Sequence, residues 1–426
     1  MFPRIIFLTA LVVGLAPANI AADDAPARQF ILVNRRLDAG AYRDRPPAEA
    51  RETFEEVRRV LPEIPGAQIR VGLGFILSYF RIADDDTLVA SLRRVLEMAQ
   101  ATDTPVLIQL DGEQWWPARP DLWNWWDETK PGFKPANREN VEWTDWTSDH
   151  ALKIAWRNWG QQLRVKPPPN LMSPAYRQAC HEKMARLIPG IMQWWRALPP
   201  EQKDLLVGVK VGWESAIGLN AWYYPGGNNY LDQPAESDPS YRLEVDELPA
   251  RGVVQIGYAA VKTAKIRTSG KITEADLAEV IRRHLEDLSR AAARLGVPRD
   301  KLFTHCGGWK DDELLYQSAV NEFSCPGWSF YKHAADPRKD NGVQRALKQS
   351  NAPFWAATEW LLPGPREVTP WRQALEATLA DPRCRYVCIY NWEGIKDSEP
   401  VLEAIRQVVA ARVETKPRSS PPQADE

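Results

Sequence analysis

Short apolar runs alternate with longer amphipathic stretches along most of this chain. Eight short runs are rich in Val, Ile, Leu and aromatic residues, which is typical of buried strands. They cover residues 29–33, 69–76, 105–110, 205–211, 301–305, 327–331, 354–358 and 386–390. The pattern therefore predicts eight strands.

Five longer stretches between these runs carry apolar residues at positions i, i+3, i+4 and i+7, the spacing of an amphipathic helix. They cover residues 46–64, 85–100, 173–198, 273–296 and 369–380. Thr273, with Asp276 three residues later, is a helix-start signal, and so is the acidic segment 83–86. Alternating strands and helices imply parallel strands joined by crossover helices.

Eight such strands predict a single α/β domain with the (β/α)8 TIM-barrel fold. The alternative is an open doubly wound sheet, but no Gly-x-Gly-x-x-Gly follows the first strand to support a nucleotide site there. Two long loops are predicted, at 112–174 after the third strand and at 215–251 after the fourth. Both leave from the carboxyl ends of strands, where barrel enzymes build their sites.

The first 22 residues have the pattern of a secretory signal peptide. Arg4 precedes an apolar run at 5–15 that is too short to span a bilayer, and small residues follow, with cleavage expected after Ala18 or Ala22. An uncleaved anchor is the alternative. We expect an exported, secreted or periplasmic protein without stable membrane insertion, with one domain at 26–414 and a disordered polar tail at 415–426.

Charge and residue spacing exclude several classes of function. The formal net charge is −2 with both signs interspersed, so no nucleic-acid partner is expected. The five histidines lack zinc-site spacing and the five cysteines form no Cys-x-x-Cys pair, so we expect neither a metal nor a cofactor. The 19 tryptophans suit core packing, and exposed ones suit stacking on sugar rings.

Ionisable and aromatic side chains gather where the predicted strands end. A core does not need these groups at one rim, and burying them without partners is costly. Two carboxyl groups across a cleft, one protonated and one ionised, are the minimal equipment for cleaving a glycosidic bond. The candidates, in strand order, are Asp111, Glu113, Trp115, Glu214, Asn220, His305, Trp309, Tyr331, Glu359, Trp360, Asn391, Trp392 and Glu393.

This layout resembles the clan A glycoside hydrolases, which are (β/α)8 barrels with an acid/base glutamate ending strand four and a nucleophilic glutamate ending strand seven. The matching residues are Glu214 in VKVGWES and Glu359 in AATEWLL. The resemblance also implies a tyrosine that hydrogen-bonds the nucleophile, matched by Tyr331. It further implies a tryptophan after strand eight, matched by Trp392.

One position departs from that pattern. The clan usually has asparagine before the acid/base glutamate, where it binds the sugar 2-hydroxyl, but this chain has Trp213. Asn220 or Asn391 would then have to supply the donor. A weaker resemblance, in GWESAIGLNAWYYPGG, is to the beta-amylases, which act on α-glucans with inversion.

The sequence thus predicts an enzyme, an exported O-glycosyl hydrolase that cleaves a β-linked glycoside or polysaccharide with retention. Glu359 would be the nucleophile and Glu214 the acid/base. The other candidates at the strand ends would bind the carbohydrate, the acidic and amide groups through hydroxyls and the tryptophans by stacking. An inverting beta-amylase-like hydrolase and a non-catalytic carbohydrate-binding barrel are the alternatives.

Some of these side chains also have ordinary structural interpretations. Glu214 is four residues from Lys210, and Glu393 is three residues from Lys396, so each could form an ion pair instead. His284 falls within a helical pattern and is expected at the surface.

Overall fold

The backbone closes into a barrel of eight parallel strands. The computed structural model describes residues 27–36, 47–113, 116–158, 162–218, 221–222, 235–238 and 254–413. The barrel strands are β1 (Gln29–Arg36), β2 (Ile69–Ser78), β3 (Val106–Asp111), β4 (Leu206–Ser215), β5 (Leu302–Cys306), β6 (Gly327–Phe330), β7 (Trp355–Trp360) and β8 (Cys384–Ile389). Strand β1 pairs with both β2 and β8, which closes the barrel. The predicted (β/α)8 TIM-barrel fold is confirmed.

Helices follow the strands and pack against them. They are α1 (Pro47–Val60), α2 (Asp85–Ala101), α3 (Pro174–Ala197), α4 (Glu274–Arg294), α5 (Asn341–Gln349), α6 (Val368–Leu379) and α7 (Glu399–Ala410). A 3₁₀ helix at Leu314–Ala319 stands between β5 and β6, where an α-helix would be usual. Each of the five stretches with helical spacing overlaps one of these helices, and two of the helices extend one residue beyond the predicted stretch. Helix α4 starts with the predicted capping box of Thr273 and Asp276.

An apolar cluster separate from the main core contains residues from several barrel strands. It includes Phe30, Leu32, Leu107, Val207, Phe303, Tyr386 and Cys388. Most of these residues lie near the amino-terminal ends of their strands, and the outward-facing alternates, such as Ile31 and Val33, belong to a separate core with the helices. The interior at the carboxyl ends is therefore left to polar side chains.

The two long loops meet in a small antiparallel sheet. Ala155–Asn158 pairs with Gln162–Val165 and also with Ala221–Trp222. The first two strands belong to the loop after β3, and the third belongs to the loop after β4. Arg157 in the central strand interacts electrostatically with Glu214, so this sheet lies at the carboxyl end of the barrel.

The predicted signal peptide (1–22) and polar tail (415–426) lie outside the described residues. Among the helices that the structure describes, none combines the length and apolarity needed to cross a membrane. All five cysteines are buried and free.

Candidate active site

The end of β4 is an irregular turn that carries Glu214. Val211 pairs with Thr304 and Ser215 pairs with Cys306, so the three residues between Val211 and Ser215 stand opposite a single residue of β5. Glu214 adopts a left-handed backbone conformation with φ of 49°, and only 5% of its surface is exposed. Such bulges re-aim a side chain at the rim of a barrel.

The end of β7 carries Glu359, with 2% of its surface exposed. A register shift between Ala357 and Glu359 aligns the glutamate with Ser329 of β6. The hydroxyl of Tyr331 donates a hydrogen bond to Oε1 of Glu359. The side chain of Trp213 donates another hydrogen bond to the same carboxylate. Two neutral donors from different strand ends thus hold this group.

Two polar side chains connect the glutamates. Ser329 donates a hydrogen bond to the carboxylate of Glu214. Nε2 of His305 lies 2.9 Å from the Ser329 hydroxyl oxygen and 3.9 Å from Oε2 of Glu359. Burial, together with the positive charge of Lys210, holds the pKa of His305 well below its ordinary value. His305 is therefore neutral. Because the hydroxyl hydrogen of Ser329 goes to Glu214, the Ser329 oxygen accepts the hydrogen bond from Nε2–H of His305.

Burial and mutual repulsion place one proton on this pair of glutamates. Burial raises the pKa of Glu214 to about 8, and the negative charge of Glu359 contributes to that rise. Burial also raises the pKa of Glu359, but Lys210, Tyr331 and Trp213 act in the opposite direction. Because the donors and the cation favour an ionised Glu359, the shared proton resides on Glu214 at neutral pH.

Lys210 lies beneath the two carboxyl groups. Its ammonium donates a hydrogen bond to the carbonyl oxygen of Thr358 at 2.8 Å, and its charge acts on both Glu214 and Glu359. Burial lowers the pKa of this lysine. The contact with Thr358 ties β4 to β7 across the barrel interior, so the cation serves both carboxyl groups.

Asp111 and Glu113 form a second layer of carboxylates, engaged within the protein. Oε1 of Glu113 accepts hydrogen bonds from Ser215 at 2.6 Å and from His284 at 3.0 Å. Oδ1 of Asp111 accepts the backbone N–H of Glu113 at 2.9 Å. Oε1 of Glu113 therefore has two donors within the protein, which leaves Oε2 as the oxygen through which Glu113 could contact a sugar hydroxyl. The expected surface position of His284 is wrong, since its exposed fraction is 0%.

Arg157 supplies positive charge to this layer. Burial lowers the pKa of its guanidinium to about 10, against the opposing effect of Asp111, Glu113 and Glu214. Its own charge lowers the pKa of Glu214. Arg157 could not be predicted from the sequence, since a lone arginine inside a long loop carries no spacing signal.

Two of the tryptophans predicted to stack on sugar rings, Trp360 and Trp392, are fully buried. Trp360 follows Glu359 on β7 and therefore points to the outer face, where its ring packs on Trp371 of α6 and its N–H donates to the carbonyl oxygen of Ala334 at 3.0 Å. Trp392 is fully buried and donates to Glu56 of α1 at 3.1 Å. Neither ring has a face open to a ligand.

Of the candidates Trp309, Trp115 and Asn220, the structure describes Trp309 alone. Trp309 is half-buried, its ring packs against Gly307, and its backbone N–H donates to Glu313 at 3.0 Å. Trp115 and Asn220 lie outside the described residues.

The rim after β8 contributes one available amide and one engaged carboxylate. Asn391 is exposed, with a left-handed φ of 75°. Glu393 forms ion pairs at 2.8 Å with Arg35 and at 2.8 Å with Lys396, so the structural interpretation accounts for its charge. Asn391 therefore remains a candidate for sugar binding, whereas the charge of Glu393 is already paired with Arg35 and Lys396.

One group of potential metal ligands lies among the described residues. Single ligand atoms of Asp311, His333 and Asp340 lie within 4.8 Å of one another. Asp340 caps α5 by accepting the N–H groups of Gly342 and Val343, and it also accepts the N–H of Asp312. His333 lies 3.1 Å from Asp311. Helix capping and the hydrogen bond from Asp312 therefore account for the position of Asp340.

Comparison with known proteins gives structural matches alone. No protein-family model matches the chain, and no curated protein does. A GH5-4 broad specificity endoglucanase from an uncultured bacterium matches with a TM-score of 0.41 and 10% identity over 89% of this chain and 94% of that chain. The catalytic domain of the GH26 endo-beta-1,4-mannanase of Bacillus sp. JAMB-750 matches with a TM-score of 0.43 and 10% identity, over 90% of this chain and 86% of that chain. A GH113 beta-1,4-mannanase matches with a TM-score of 0.37 and 10% identity, over 91% of this chain and 99% of that chain. These similarities concern the fold.

Proposed function

We propose that this protein is a glycoside hydrolase that cleaves a β-linked glycoside or polysaccharide with retention of configuration. The observation that carries the proposal is the pair of buried, electrostatically coupled glutamates at the ends of β4 and β7. Their surroundings differ, so that one carboxyl group is ionised while the other holds a proton. Retaining hydrolysis needs one group of each kind.

In the first step, the ionised Glu359 attacks the anomeric carbon. The bond from that carbon to the leaving oxygen breaks as Glu214 gives its proton to this oxygen, and a glycosyl ester forms on Glu359. Tyr331 and Trp213 hold the nucleophile in place through their hydrogen bonds to its carboxylate. A fixed nucleophile lowers the barrier because less motion is lost on reaching the transition state.

In the second step, Glu214 acts as a base. Esterification removes the negative charge of Glu359, and that charge is one cause of the raised pKa of Glu214. The pKa of Glu214 therefore falls in the intermediate, which leaves it ionised and able to take a proton from water. The water attacks the anomeric carbon, the ester bond breaks, and both glutamates return to their starting states.

Substrate contacts in this proposal come from the rim. Asn391 is exposed and Trp309 is half-buried, which suits them to a hydroxyl contact and a stacking contact. The proposed chemistry uses these side chains and water, without a cofactor. Given the signal-peptide pattern at 1–22, we propose that the enzyme acts after export.

The experiment is to incubate the purified protein with a panel of aryl β-glycosides and β-linked polysaccharides. Proton NMR of the reaction mixture then follows the anomeric signals of the first product. The proposal expects the β-anomer first, with the α-anomer appearing only by mutarotation. An initial α-anomer would show inversion instead. Saturable binding without turnover of any member would favour a carbohydrate-binding protein and overturn the proposal.

A further inference from the structure

The turn that presents Glu214 has an unfavourable backbone. Both Gly212 and Glu214 have positive φ, of 83° and 49°, and the second of these residues bears a Cβ. Left-handed backbone is disfavoured for such a residue and persists only where the surroundings hold it. The contacts of this turn therefore decide where the carboxyl group of Glu214 lies.

Side chains of the β3 segment hold the turn on both sides of Glu214. Gln109 donates to the carbonyl oxygen of Gly212 at 3.1 Å. Ser215 donates to Oε1 of Glu113 at 2.6 Å. The same oxygen would lie 3.1 Å from a Cβ placed on Gly212, so the Glu113 carboxylate packs directly against the turn.

A buried histidine on α4 completes these contacts. Nε2 of His284 lies 3.0 Å from Oε1 of Glu113. Nδ1 of His284 has no hydrogen-bond partner among the described residues, so Nε2 carries the proton and donates it to the carboxylate. The neighbouring buried positions of α4 are Val280, Ile281, Leu285 and Leu288, and packing alone would favour another apolar residue here.

We propose that His284 and Glu113 are positioning residues that act through Ser215 to fix the turn from which Glu214 projects. His284 orients the Glu113 carboxylate, and that carboxylate anchors the hydroxyl of the residue next to Glu214. The inference rests on the proposed function, because it gives the turn a role in placing the general acid. It predicts that damage to this chain of contacts impairs protonation of the leaving group, which is a specific defect.

The test compares two substrates with the same sugar and different leaving groups. A 2,4-dinitrophenyl glycoside hardly needs a general acid, whereas an unsubstituted phenyl glycoside does. His284→Leu should lower kcat/KM, which reports the step in which the leaving group departs, about 100-fold for the phenyl glycoside, the scale expected when a catalytic group is displaced by roughly an ångström. The loss for the dinitrophenyl glycoside should be at least about 10-fold smaller. His284→Gln keeps an N–H donor, so it should retain most of the activity toward the phenyl glycoside that His284→Leu loses.

Ser289→Ala is the matched control. Ser289 is also buried on α4, but its hydroxyl donates at 3.1 Å to Ser324, which lies outside the β4 turn. This variant should leave the ratio of the two rates unchanged. Ser215→Ala deletes a single hydroxyl group and serves if His284→Leu does not fold. It should change the ratio in the same direction.

The outcomes separate the inference from the proposed function. If the unmodified protein cleaves no glycoside of the panel, the proposed function fails and the inference fails with it. If the unmodified protein is active but His284→Leu slows both substrates equally, or behaves like Ser289→Ala, only the inference is overturned. The same holds if His284→Gln is as impaired as His284→Leu.

Discussion

The ends of β4 and β7 each present a buried glutamate, but the two are held in different ways. Glu359 receives hydrogen bonds directly on its carboxylate from Tyr331 and Trp213. Glu214 receives one hydrogen bond, from Ser329, and stands on a left-handed turn where further contacts hold its neighbour Ser215. Direct donors stabilise an anion. A fixed turn places a carboxyl group while leaving it free to gain and lose a proton.

This difference suits two chemical roles. A nucleophile must be ionised and must stay in one position, whereas an acid/base group must change its charge within each cycle. Burial disfavours the charged form of both glutamates, so the local donors decide which one is ionised. The predictions below change one side of the comparison at a time, in order of decreasing effect.

The largest effect is expected when the nucleophile is removed. Glu359→Gln keeps the size of the side chain but cannot attack the anomeric carbon, so kcat should fall by roughly 10⁴-fold or more, while ligand binding remains. Initial rates and calorimetric titration measure the two quantities. Glu142→Gln is the control: burial raises the pKa of Glu142 to about 8, so the amide replaces a group that is already neutral at pH 7. If Glu359→Gln kept a tenth of the activity, the assignment of the nucleophile would be wrong.

Removal of the acid/base group should cost less. Glu214→Ala should lower kcat on poor leaving groups by about 10² to 10⁴-fold, the usual contribution of general acid–base catalysis. Azide is small and needs no base, so it should occupy the vacated space and attack the glycosyl ester. Mass spectrometry should then detect a glycosyl azide, and proton NMR should show that it has the β configuration. Absence of both azide rescue and leaving-group dependence would assign Glu214 another role.

Weakening the donors to Glu359 should have an intermediate effect. Tyr331→Phe deletes the hydroxyl that donates to Glu359, so the pKa of the nucleophile rises and the acidic limb of the pH–rate profile moves to higher pH. The loss of activity at neutral pH should be about 10-fold, as expected for one hydrogen bond to a charged group. Tyr386→Phe removes another buried hydroxyl inside the barrel and should leave that limb in place. An acidic limb that did not move would separate Tyr331 from the ionisation of Glu359.

The smallest catalytic effect is expected from the buried tryptophans. Trp360→Phe and Trp392→Phe each lose one indole hydrogen bond and some packing, so the free energy of unfolding should fall by about 1–2 kcal/mol. KM should not change, because neither ring faces a ligand.

Trp309→Ala should instead raise KM with little change in the free energy of unfolding. Denaturant titration and steady-state kinetics on the same preparations check both statements. A raised KM in Trp360→Phe would return that ring to the substrate site.

The barrel itself could be predicted from the sequence, since strand and helix periodicities alternate clearly. The positions of Glu214 and Glu359 at strand ends could be predicted for the same reason. The outward orientation of Trp360 could also be predicted, because it follows Glu359 and neighbours on a strand point to opposite sides. The burial of His284 also had a signal, since it stands three or four residues from Val280, Ile281 and Leu288 on the apolar side of α4.

Other features of the site had no sequence signal. The turn at Gly212 and Glu214 depends on three residues of β4 standing opposite one residue of β5, and only pairing between the strands reveals that count. Ser329 is a small polar residue inside a short strand, and its role depends on His305 and Glu214, which are distant in the chain. Such contacts arise from barrel closure.

The most direct test of the account is where the shared proton resides. Infrared difference spectroscopy on Glu142→Gln protein, which lacks another glutamate with a pKa of about 8, can follow the carbonyl band of protonated carboxyl groups during a pH titration. We expect a band that persists at pH 7, disappears around pH 8 and is abolished by Glu214→Gln. Ionisation of both glutamates by about pH 5, near the ordinary pKa of glutamate, would contradict the account. A band abolished by Glu359→Gln but retained in Glu214→Gln would also contradict it.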